Sequence, residues 1–141
     1  MPTDDNAPPT TVYVRDVLAV VGDVMPRWGF LETAMLDAIG EKRIGPGISQ
    51  RWLTTFDMGP EIKREIKQLA RVRHLLAHGL CGVEGRVGLS GEPGVRCRRA
   101  NGSVIEIALN ELETFAQHLD LLRLSVDRHH RGLGRPIRSN D

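Results

Sequence analysis

The chain has 141 residues, 40% of them hydrophobic and 26% charged, with a formal net charge of +1. This suits one domain with its own core, and no apolar run approaches the roughly 20 residues that a membrane-spanning helix needs. Two cysteines, Cys81 and Cys97, are too few for a disulfide framework, and neither lies in a C-x-x-C pair of the kind that holds structural zinc.

The opening "MPTDDNAPPT" is acidic and Pro-rich, the wrong chemistry for a signal peptide. Residues 1–11 are expected to be a disordered leader, and the protein is expected to be cytoplasmic. From Val12 to Gly40 the apolar residues Val14, Val17, Val21, Val24, Trp28, Leu31 and Met35 recur in steps of three and four, so this is an amphipathic helix. Pro26 lacks a backbone donor and its ring meets the turn at Gly22, which predicts a kink or a break into two helices. Gly40 and the "GPG" at 45–47 end it.

A short helix is expected in "ISQRWLTTFDM", residues 48–58. Gly59 and Pro60 then punctuate the chain. Pro60 suits a first helical position and Glu61 the first turn. The helix it opens runs to about His78, with Gly79 as its C-cap. The pattern then changes. "LCGVEGRVGL", "VRCRRA" and "SVIEIAL" are short, β-branched and separated by "SGEPG" and "NG", which reads as two or three antiparallel strands with a hairpin near Gly91. Such a hairpin sets Cys81 and Cys97 on neighbouring strands, where free thiols are the default inside a cell. Asn110 and Glu113 have capping-box spacing. They open a last helix with Leu112, Phe115, Leu119, Leu122 and Val126 on its apolar stripe. Residues 129–141 read as a basic tail, which leaves 12–128 as the folded domain.

Charge is uneven. Residues 71–99 hold Arg71, Arg73, Arg86, Arg96, Arg98 and Arg99 against Glu84 and Glu92. Arginine forks onto phosphate, so this segment could face a nucleic acid. Composition by itself favours the plainer reading, a solvated surface.

The densest chemistry is "RVRHLLAHGL", residues 71–80. His74 and His78 are four apart and share a helix face, Arg71 joins that face, and Arg73 lies to one side within reach. The helix dipole accounts for basic residues at a C-terminus but not for two histidines. A metal site would need a third ligand, of which only Cys81 is near, and the arginines repel a cation. An anion or phosphoester site uses all of them: arginine holds phosphate and histidine moves protons near neutrality. Upstream, Glu32 lies on the stripe of Met25, Trp28 and Met35. It is expected either to meet Arg71 or Arg73 or to sit at the stripe's edge. Trp28 and Trp52 read as core or interface residues, with Trp52 the better stacking candidate of the two.

"RHLLAH", Arg73 to His78, resembles the R-φ-x3-H motif of HEPN domains, with His74 at φ. "RWGFLETAML", Arg27 to Leu36, is similar to the W-x-x-[LF]-E-x-x-L pattern in the first helix of small HEPN-like proteins. The resemblance covers roughly residues 12–128. It implies a mainly α, HEPN-like antiparallel helical bundle with a small β-hairpin insert before the last helix. It also implies a homodimer that cleaves RNA without metal or other cofactor in a cleft between the subunits. On that pattern Arg73 and His78 would be catalytic, with Arg73 on the scissile phosphate and His78 as general acid or base. His74, Arg71 and Glu32 would support them or contact substrate. The product would be a 2′,3′-cyclic phosphate. A toxin or defence component is the implied biological role, with an antitoxin or regulatory protein as partner. The other readings are a catalytically inactive HEPN-like module for RNA binding or dimerisation, and a regulatory or small-ligand helical protein.

Overall fold

A computed structural model describes residues 10–41, 45, 47–89 and 91–133. The expected leader, apart from its last residues, and the end of the basic tail lie outside them. The described residues form helix α1 (Thr10–Ile39), α2 (Ile48–Thr55) and α3 (Pro60–His74), a π-helical turn (Leu75–Gly79), strands β1 (Leu80–Val87), β2 (Glu92–Arg98) and β3 (Val104–Ala108), and α4 (Leu109–Leu133). The sheet is antiparallel in the order β1-β2-β3. The chain is thus mainly helical, with a small sheet inserted before the last helix, as its periodicities indicate.

α1 is one continuous helix of 30 residues, about 45 Å at 1.5 Å per residue. Of the kink or break expected at Pro26, the break does not occur. Pro26 and Gly22 are both exposed, so the Gly22 carbonyl that loses its partner faces solvent and the ring projects away from the core. The seven-residue steps Val17, Val24 and Leu31, with Met35, are almost completely buried. α4 answers with Leu112, Leu119, Leu122 and Val126. The two long helices are also joined by an ion pair between Arg27 and Asp120, with Asp23 3.0 Å from Arg27 on its other side. Asp120 first, and then Asp23, raise the Arg27 pKa and hold its charge.

Trp52 is fully buried and Trp28 nearly so. Both are core residues, and neither offers a face for stacking a base. α4 begins one residue before Asn110, directly from β3, so Asn110 lies inside the first turn and makes no capping box with Glu113. Nor does α4 stop where the basic tail was expected. It continues through His129 and His130 to Leu133, with the His129 ring edge-on to Phe56 at 5.4 Å between centroids. His118 on α4 faces Glu65 of α3 at 3.7 Å.

One apolar cluster unites the helices with Val95, Cys97 and Ile107 of the sheet. Within the sheet, Gly94 of β2 permits the close approach of β3: a Cβ there would lie 2.2 Å from the Ile107 carbonyl oxygen and 2.9 Å from the Ala108 Cα. Gly88 and Gly91 flank the turn between β1 and β2, which places the hairpin where the sequence puts it. Cys81 and Cys97 are indeed on neighbouring strands, and both are free thiols.

Candidate functional site

α3 stays α-helical to His74, and the next five residues, Leu75 to Gly79, form a π-turn that feeds straight into β1. Such π-helical turns are rare and are frequent at functional sites. The expected left-handed glycine cap is absent: Gly79 does not have positive φ. Its glycine identity answers to packing instead. A Cβ on Gly79 would sit 2.4 Å from the Arg98 carbonyl oxygen, so the bare backbone lets the helix end close against the end of β2.

That closure makes one wall of a cleft of about 1080 Å³, at the upper end of small-molecule pockets. α3 and the π-turn contribute Arg71, His74 and His78. The end of β2 and the turn after it contribute Arg98 and Arg99, and β1 contributes Cys81. The floor is apolar, with Leu75, Ile105, Ile107 and Phe115, and Glu111 at the start of α4 is the sole carboxylate among the lining residues. Three guanidinium groups against one carboxylate make the cleft attractive to an anion.

The two imidazoles are neighbours. The His74 and His78 rings lie 4.9 Å apart between centroids, inclined at 54°, and both side chains are exposed. Arg71 is exposed on the same wall. Arg73 is half-buried and does not line the cleft, and its Nε is buried with no hydrogen-bond partner. It occupies the adjoining face of the helix, to one side of the histidines, as its spacing indicates.

Glu32 does not reach either arginine. It is half-buried, like Met25 one helical repeat before it, and makes no ion pair among the described residues. It is an edge residue of the α1 stripe, so the desolvation that would have demanded a partner is only partial. Among the described residues no group of three or more His, Cys, Asp or Glu side chains is arranged to hold a metal ion.

The sequence reading missed Arg98, Arg99 and Phe115 as cleft residues. The two arginines stood out only as part of a basic run, and nothing local reveals that the β2–β3 turn folds back beside the end of α3. Cys97, by contrast, points into the core. Burial first, and then the nearby Cys81, push its thiol from 9.0 up to about 11. Cys81 is exposed at a bulge in β1, its thiol donating to the Arg96 carbonyl oxygen at 3.3 Å. Compared with known proteins, the chain matches no family model, no curated protein and no solved structure.

Proposed function

We propose that the chain is a metal-independent endoribonuclease of HEPN type whose chemistry centres on His78. The observation that carries this reading is the pairing of His74 and His78 on the arginine-bearing wall of the cleft. RNA carries its own nucleophile, the 2′-hydroxyl. Cleavage requires a group to take that proton, a group to protonate the departing 5′-oxygen, and positive charge on the phosphate between them. Imidazole titrates near neutrality and serves in either proton role. His78 is assigned acid–base duty, with His74 contacting substrate or sharing the proton traffic. Arg71 supplies charge from the same wall. Arg73, half-buried on the adjoining face, is assigned the scissile phosphate where two copies of the chain bring their motifs together, so the active species is a homodimer.

The 2′-oxygen attacks phosphorus, the bond to the 5′-oxygen breaks, and the products are a 2′,3′-cyclic phosphate and a 5′-hydroxyl. A toxin or defence role, restrained by an antitoxin or regulatory protein, is part of the same proposal. The test is cleavage of RNA by purified protein in excess chelator. Wild type is expected to cut and His78→Ala to be inert while folding normally. Equal cutting by the two proteins removes His78 from the mechanism. Salt-sensitive binding of RNA without cutting by wild type would instead favour the non-catalytic binding module.

A further inference from the structure

We infer that Arg98 and Arg99, at the junction of β2 and the β2–β3 turn, grip the phosphate backbone of a single RNA strand across the cleft from His78; this rests on the ribonuclease reading above. Both side chains are exposed and line the cleft. Neither has a carboxylate partner among the described residues, whereas Arg27, Arg51 and Arg96 each face one. A guanidinium left without an internal partner at a cleft keeps its planar donor fork for an incoming phosphate.

The turn that presents them is fixed before any ligand arrives. The Arg99 amide donates to the Ser103 carbonyl at 2.8 Å, the Gly102 amide donates to the Arg99 carbonyl at 2.9 Å, and Asn101 Oδ1 accepts from both the Ser103 amide and its hydroxyl. Gly79 fixes the distance to the other wall, since the Arg98 backbone rests against it. Ordering two arginines on a closed turn costs less than ordering them on a loose one. Between the walls, Phe115 and Ile105 give an apolar surface for an unstacked base, which a single strand can supply and a duplex cannot.

The probe is a single-stranded oligoribonucleotide fully 2′-O-methylated, which has no 2′-hydroxyl and cannot be cut. Its affinity for the full chain is measured over a range of salt concentrations. Each phosphate neutralised contributes about 0.7 to the slope of log affinity against log salt for a single strand. The Arg98→Ala/Arg99→Ala double variant is expected to lower that slope by about 1.4. Arg98→Lys/Arg99→Lys should restore it, because the slope counts charges. Arg86→Ala, an exposed arginine of β1 outside the cleft, should leave it unchanged. A wild-type slope in the double alanine variant, or an equal fall in Arg86→Ala, overturns the assignment of these two arginines and leaves His78 chemistry standing. Absence of oligonucleotide binding by wild type, or binding of a small inorganic phosphate alone, overturns this inference together with the ribonuclease reading.

Discussion

Gly79 and Arg98 meet backbone to backbone: the space a Cβ would need on Gly79 lies 2.4 Å from the Arg98 carbonyl oxygen. This contact joins the histidine-bearing end of α3 to the arginine-bearing end of β2, so the two walls of the cleft are set by one small residue. Gly79→Ala must push β2 away or distort the π-turn. Overpacking of this kind costs about 1–3 kcal/mol, measurable as a lower urea midpoint. If the cleft works as proposed, the same variant also loses RNA cleavage out of proportion to its stability at temperatures where it remains folded. Wild-type stability and activity would show that the contact has no positioning role.

Pro26 supplies the second prediction. It interrupts the hydrogen bonding of a helix that nonetheless continues, and it does so on the exposed face. Pro26→Ala restores a donor for the Gly22 carbonyl and relieves the ring's clash with that turn. Helix propensity, which already includes the freer unfolded chain, favours the change by about 3 kcal/mol. Thermal unfolding should therefore shift upward, with no loss of any activity that resides at the cleft, which no residue of α1 lines. A lower melting temperature would mean that the proline ring makes packing contacts the exposed face does not suggest.

How much was legible in the sequence depended on whether the governing contact was local. The core positions of α1 and α4, Val17, Val24, Leu31, Leu112 and Leu119, follow from period alone, and the strands follow from β-branching and turn residues. The fate of Pro26 did not, because the damage a proline does depends on which face it occupies. Asn110 has cap chemistry, but β3 runs into α4 with no loop to hold a cap. Gly79 looks like a helix terminator, and only the fold shows that its role is proximity to Arg98. At the site, His74, His78 and Arg71 were readable from helical spacing. Arg98 and Arg99 were not, because a turn more than twenty residues downstream in sequence brings them in.

The thiols give a prediction with a pH sign. The folded state raises the Cys97 pKa above its ordinary value of 9.0 to about 11, so the folded chain holds that proton more tightly than the unfolded chain. The stabilisation this brings is complete below pH 9.0 and is lost as pH climbs through about 11. Stability measured across this window should fall more in wild type than in Cys97→Val, which keeps an apolar group and removes the titration. In mildly alkaline buffer an alkylating reagent should modify exposed Cys81 and spare buried Cys97 until the protein unfolds. Equal labelling of both thiols in the folded protein would contradict the burial of Cys97.

The central claim is that His78 moves a proton while the RNA attacks itself, and the chemical ends of the product report this most directly. Mass spectrometry of fragments from a defined single-stranded RNA, incubated with wild-type protein in chelator, should show 2′,3′-cyclic phosphate and 5′-hydroxyl termini. Neither should form with His78→Ala, or when the nucleotide at the cut carries a 2′-deoxy sugar. Fragments ending in 5′-phosphate, or the same cyclic-phosphate fragments from His78→Ala, would contradict the account.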